Sequence, residues 1–305
     1  MSRGKRLKTK HIGIISAAIL AVLILSSSRE ETFVLQSFPA EHFQQNAIWI
    51  YNQAWVDVQK DVLANNLTGI VKSLRDRNIT MAFVFVGYFN PATNRVDQYP
   101  SDSLVQQVIA AFHSIGLRVL AWGENGYDPM DIRPANRENI YNEIRYWLDK
   151  GFDGWHDDIE RYLGTHQEWI YYLNNATTVC HERGKLMTAA IPYDWEQNTN
   201  PYLRMDYIVT MFYSSRSTCE DPQGVSYFQE NFGQYHGNNS PPASPLILGI
   251  MNYKKNSHSL GWQLSWIQQT MASNAHPNLV GFSIWIYEYM SPKDWQTWDS
   301  IRLIK

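Results

Sequence analysis

Eight short apolar runs recur along this chain, most of them followed by a helical pattern, and that alternation limits the fold more than any other feature. The runs are Ala47–Tyr51, Thr80–Tyr88, Arg118–Trp122, Phe152–Glu160, Leu186–Tyr193, Tyr207–Tyr213, Leu246–Tyr253 and Gly281–Tyr287. Helical spacing covers Val56–Arg77, Ser101–Ile115, Arg137–Lys150, Thr165–Arg183, Val225–Tyr235, Leu260–Ser273 and Pro292–Ile301. In Ser101–Ile115, Leu104, Val108, Ile109, Ala111 and Phe112 recur at helical intervals, and Gly116 ends the helix before the next strand. A remaining helix is expected around Pro201–Met205, where the pattern is weakest. Strands alternating with helices make a parallel sheet covered by helices, and eight units in about 250 residues match a closed (β/α)8 barrel. An open doubly wound sheet is the alternative, but the chain lacks a Gly-rich turn after its first strand and a P-loop lysine.

The chain has 305 residues, 44% of them hydrophobic, which is enough for one large core, and no low-complexity linker divides residues 32–305. A single barrel domain and a monomer are expected. The formal net charge of −3 and the lack of a basic stripe beyond the N-terminus argue against nucleic acid as a partner. Residues 1–31 begin with a basic run, Arg3 to Lys10, followed by an apolar stretch from Ile12 to Leu25. That stretch is shorter than the roughly 18 residues of a spanning helix, so the segment reads as an export signal or a membrane anchor. A secreted or membrane-anchored location follows, with which the sequons at Asn66, Asn78, Asn175 and Asn238 are compatible. Cys180 and Cys219 are the two cysteines and are read as unpaired thiols.

In a (β/α)8 barrel the functional site lies at the C-terminal ends of the strands. Those ends carry Trp49, Tyr51, Tyr88, Trp122, Glu124, Asp158, Glu160, Tyr193, Asp194, Tyr213, Trp285 and Glu288. Any one of these rings, taken singly, is ordinary core. Together with a few carboxylates they favour a carbohydrate ligand, because pyranose faces stack on rings while hydroxyls bond acids and amides. Trp285, Trp49, Trp122, Tyr193, Asp194 and His156 are the candidate substrate-binding residues.

The run Gly151-Phe152-Asp153-Gly154-Trp155-His156-Asp157-Asp158-Ile159-Glu160 places His156, Asp158 and Glu160 on one face of an extended strand. Unpaired charges do not belong in a core, so this face should open on a cleft. Glu160, outermost, is the candidate general acid. Asp158 would raise its pKa by like-charge proximity. His156 is expected to be a hydrogen-bonding partner of Asp158. Asp157 faces the other way, where a bulge is needed to explain it.

This stretch resembles the fourth-strand signature DGxDxDxE of the chitinase-like glycoside hydrolase family 18. Asp153, Gly154, Asp158 and Glu160 match it, and His156 replaces its first inner Asp. Met211-Phe212-Tyr213 looks like the family's Met-x-Tyr-Asp element, with Ser214 in place of the Asp, and Trp285 is placed like its eighth-strand Trp. The resemblance implies a barrel that hydrolyses glycosidic bonds next to N-acetylhexosamine with no enzyme nucleophile. Glu160 would be the acid, with Asp158 and Tyr213 orienting the substrate's own 2-acetamido group. It implies no metal or organic cofactor.

Two other readings stay open. A two-carboxylate glycosidase would pair Glu160 or Asp158 with Glu124, Asp194 or Glu288. A glycan-binding barrel without catalysis would keep the rings alone. No His-x-His or His-Glu-x-x-His pair points to a metal enzyme.

Overall fold

Successive strand residues point alternately into the barrel and out toward the helices, and both faces are apolar in this chain, as a parallel sheet covered on both sides requires. The computed structural model describes residues 44–51, 62–98, 101–126, 128–192, 202–211, 244–251, 259–273 and 279–302. Among these the eight expected barrel strands are present: β1 (Ala47–Ile50), β2 (Met81–Asn90), β4 (Arg118–Glu124), β6 (Gly154–Asp158), β8 (Leu186–Pro192), β9 (Tyr207–Met211), β10 (Leu246–Met251) and β11 (Leu279–Trp285). Each pairs in parallel with the next, and β1 pairs with both β2 and β11, which closes the ring. The open doubly wound alternative is thereby excluded.

Among the described residues six helices accompany them: α1 (Val62–Leu74), α2 (Asp102–His113), α3 (Arg137–Asp149), α4 (His166–His181), α5 (Leu260–Ser273) and α6 (Pro292–Arg302). Side-chain capping sets the start of two of them. Ser101 accepts from the Leu104 N–H at 3.3 Å, and Thr165 with Glu168 forms a capping box ahead of α4. Asn66 departs from helical dihedrals and kinks α1. Around the expected fifth helix, Tyr202 has 3-10 geometry and Leu203–Met205 is irregular, while Pro201 lies outside the described residues. The helix expected at Val225–Tyr235 and the N-terminal segment lie outside the described residues, as does Cys219.

Three short strands were not anticipated. β3 (Arg95–Gln98) turns back antiparallel on β2, and β5 (Met130–Asp131) pairs with β7 (Tyr162–Leu163) in the connections that follow β4 and β6. Such brief pieces carry too few residues for a period.

The alternation yields two apolar layers. Trp49, Phe83, Phe85, Leu120, Trp122, Val209 and Ile247 fill the lumen. Ile48, Ile50, Val84, Val86, Val119 and Ala121 face out and pack with the helices. Two glycines are required by close approach. A Cβ at Gly123 would fall 2.5 Å from the Trp155 ring, and one at Gly154 2.4 Å from the Leu186 carbonyl oxygen.

At the opposite end of the strands from their exits, one device occurs twice. Asp153, just before β6, accepts the Val119 N–H of β4 at 2.8 Å and faces His113, the last residue of α2, at 2.7 Å. Asp206, just before β9, accepts the Met187 N–H of β8 at 2.7 Å and faces His181, the last residue of α4, at 3.0 Å. Asp153 and Gly154 are thus architectural, which leaves the chemistry of the acidic run to the residues after them.

Candidate active site

β6 delivers His156 and Asp158 inward and Trp155 and Asp157 outward. Asp157 needs no bulge. It accepts from the Tyr172 hydroxyl of α4 at 2.5 Å, from the Trp155 indole at 3.3 Å and from the Ile159 N–H at 3.3 Å. These bonds offset part of the burial that still lifts its pKa to about 6.

His156 is corrected in two respects. Its Nδ1 lies 2.7 Å from the Thr188 hydroxyl of β8 instead of bonding Asp158, and its ring stacks on Phe83 with centroids 3.8 Å apart. The edge of Trp49 meets it at 4.3 Å. Burial holds its pKa well below the usual imidazole value, so it is a neutral part of the lumen packing, out of reach of a ligand in the cleft.

Asp158 sits one step nearer the exit. Its Oδ2 accepts the Trp122 indole N–H at 3.1 Å, while Oδ1 is buried without a partner. Glu124 is its in-register neighbour at the end of β4, on the same inward face, and its Oε2 is likewise buried without a partner. Adjacent strands lie about 4.8 Å apart, so the two side chains leave neighbouring backbone positions on one face. Burial, followed by the charge of Glu160, pushes Glu124 up to about 8. Burial, then Glu160 and Glu124, drive Asp158 well above the normal carboxylate range.

Glu160 does not continue the strand, which stops at Asp158. Its position is set by Asn125, whose Oδ1 accepts the Glu160 N–H at 3.2 Å while its Nδ2 donates to the carbonyls of Asp128 at 2.9 Å and Arg161 at 2.6 Å. Glu160 is exposed, yet the walls around it desolvate the carboxylate and raise its pKa, against an opposing pull from Arg161. Desolvation is the main cause that lifts Glu160, and its like-charge repulsion with the inner carboxyls Asp158 and Glu124 opposes ionisation of the group as a whole.

Below the acids lies an aromatic floor. Trp285, partly exposed at the end of β11, meets Trp49 at 4.8 Å and Trp122 at 5.3 Å, both edge to face. Trp49 and Trp122 are fully buried, and Trp49 donates to the Ser283 hydroxyl at 2.5 Å. Both candidate substrate-binding rings support Trp285 from beneath, and neither presents an exposed face to a ligand. Glu288 follows in a 3-10 turn with both carboxylate oxygens buried and unpartnered, its pKa driven well up by burial.

Tyr213, Tyr193 and Asp194 lie outside the described residues. Asn125 had no signal beyond its place next to Glu124. Among the described residues, no group of three or more His, Cys, Asp or Glu is arranged to hold a metal ion. Cys180 is a buried free thiol.

No family model and no curated protein sequence matches the chain. Solved structures do. A xylanase and alpha-amylase inhibitor protein from Scadoxus multiflorus aligns over 85% of this chain and 98% of its own, at a TM-score of 0.61 and 13% identity. A chitinase from Chromobacterium violaceum aligns over 85% and 99%, at 0.58 and 13%. The spore cortex-lytic enzyme SleL of Bacillus megaterium aligns over 84% and 73%, at 0.58 and 11%. With its closed ring of eight parallel strands, the chain has the (β/α)8 barrel fold of the chitinase-like structures.

Proposed function

We propose that the chain is a glycoside hydrolase acting on a polysaccharide or glycoconjugate that contains N-acetylhexosamine, by substrate-assisted retaining hydrolysis. The observation that carries this reading is the pairing of an exposed, desolvated Glu160 with an inward Asp158 whose Oδ1 is buried and unpartnered, above an aromatic floor. Glu160 gives its proton to the glycosidic oxygen as the bond to the anomeric carbon breaks, and the 2-acetamido oxygen bonds that carbon. Asp158 accepts the acetamido N–H, and Tyr213 assists. Water then opens the cyclic intermediate and returns a proton to Glu160. Trp285 is the stacking face, with Tyr193 and Asp194 completing the sugar contacts. The scheme uses no metal or organic cofactor.

Residues 1–31 are proposed to direct export, either cleaved or retained as an anchor, with a monomeric barrel beyond them. A second reading has a specific motive. Inhibitor proteins share this fold, so a barrel that binds a glycan without cleaving it is the competing assignment. Incubating the protein with N-acetylated and deacetylated hexosamine oligomers separates the two. Cleavage confined to the acetylated set supports the proposal, equal cleavage of both sets sinks substrate assistance, and binding without any product favours the non-catalytic barrel.

A further inference from the structure

Asp158 is a buried carboxyl facing the lumen at the exit of β6, and the residue one step below it on the same strand does not serve it. His156 is turned to Thr188 and packed between Phe83 and Trp49. Asp158 receives a single side-chain donor, Trp122, on one oxygen. Its other oxygen is buried and unpartnered.

The group that shares this environment comes from the neighbouring strand. Glu124 and Asp158 are register partners across β4 and β6. Both point inward, since Leu120 and Trp122 precede Glu124 in phase and His156 precedes Asp158. Each has one buried oxygen with no partner. Two carboxyls on adjacent register positions in a desolvated place oppose each other's ionisation, so the pair favours holding one proton near neutrality.

We propose that Glu124 is a positioning residue for Asp158: the two form a proton-sharing carboxyl pair across β4 and β6 that carries one negative charge, with Glu160 as the solvent-facing acid beside it. The pair then keeps Asp158 in a fixed hydrogen-bonding state while Glu160 loses and regains its proton. This role rests on the reading of Asp158 as the ligand-orienting acid, but the pairing itself stands on geometry alone.

The test is a carboxyl 13C NMR titration of the full chain, without glycan, in the parent and in Glu124→Gln, Asp158→Asn and His156→Gln. The parent should show coupled titrations of Glu124, Asp158 and Glu160, with the upper step of the Glu124–Asp158 pair above pH 7. In Glu124→Gln the upper step should vanish and Asp158 should titrate at least one pH unit lower than in the parent. Asp158→Asn reports the same coupling from the other side, with Glu124 moving down, so the test survives if one variant does not fold. His156→Gln should leave both steps in place. An Asp158 titration that ignores Glu124→Gln, a Glu124 titration that ignores Asp158→Asn, or one that moves as far in His156→Gln would overturn the pairing. Hydrolysis is not needed for this readout, so failure of the proposed activity and failure of the pair are separable.

Discussion

The side-chain oxygen of Asn125 accepts the backbone N–H of Glu160 at 3.2 Å, and through this bond the exit of β4 sets the position of the proposed acid on the exit of β6. The same amide donates to two carbonyls, at Asp128 and Arg161. Asn125→Ala removes all three bonds in a buried place and should cost about 1–3 kcal/mol, read by urea unfolding. Turnover should fall by more than folding alone explains, because Glu160 loses its restraint. Full turnover in a folded variant would show that Glu160 is positioned by other contacts.

Glu288 predicts a pH trend with a definite sign. Its folded pKa is raised, so above the unfolded value near 4.3 the native state holds a proton that the unfolded chain has released. Stability from this group is present in acid and is lost as pH rises. Glu288→Gln should therefore flatten the decline between pH 5 and 8 and give a higher melting temperature than the parent at pH 8. A variant less stable than the parent at pH 8 would reveal a partner for the buried carboxylate.

His156 acts with the opposite slope. Its folded pKa is depressed, so below about 6.5 the unfolded chain takes up a proton that the native state refuses, and stability falls as pH drops through that value. His156→Gln keeps a side chain able to bond Thr188 and removes the titration. Chemical denaturation at pH 7.5 and 5 should show a smaller acid loss in the variant than in the parent, whatever the offset at pH 7.5. An equal loss in both would mean that His156 is protonated in the native state.

Trp285 presents the only partly exposed ring of the described floor residues Trp49, Trp122 and Trp285. Trp285→Ala should weaken binding of an N-acetylhexosamine oligomer by roughly 10-fold, equal to about 1.4 kcal/mol. Calorimetric titration reads this directly. Unchanged affinity would place the glycan elsewhere on the barrel.

Much of this arrangement was legible before any coordinate, and the reasons are physical. Strands buried on both faces need continuous apolar runs, so Met81–Asn90 and Leu246–Met251 announced themselves. Alternation placed Asp158 inward correctly because β6 is regular up to that residue. It misplaced the cause of Glu160's position, since the strand ends before Glu160 and a side-chain amide takes over. Asp157 looked unexplained because Tyr172, its partner, is 15 residues away on another element. His156 was drawn toward Asp158 by sequence proximity, whereas its true partner Thr188 lies across the sheet, a relation that only the register of β6 with β8 supplies. Glu124 was visible as a strand-end acid, but its pairing with Asp158 needs the β4–β6 register.

The most direct test of Glu160 as the proton donor compares two leaving groups in the parent and in Glu160→Gln. On an N-acetylhexosamine oligomer, whose leaving oxygen needs a proton, the variant should lose about 10²–10⁴-fold in kcat. On an aryl glycoside with a strongly acidic phenol as leaving group, the loss of the bond-breaking step should be far smaller. An equal loss on both substrates, or none on the oligomer, would contradict the assignment of Glu160 as the general acid.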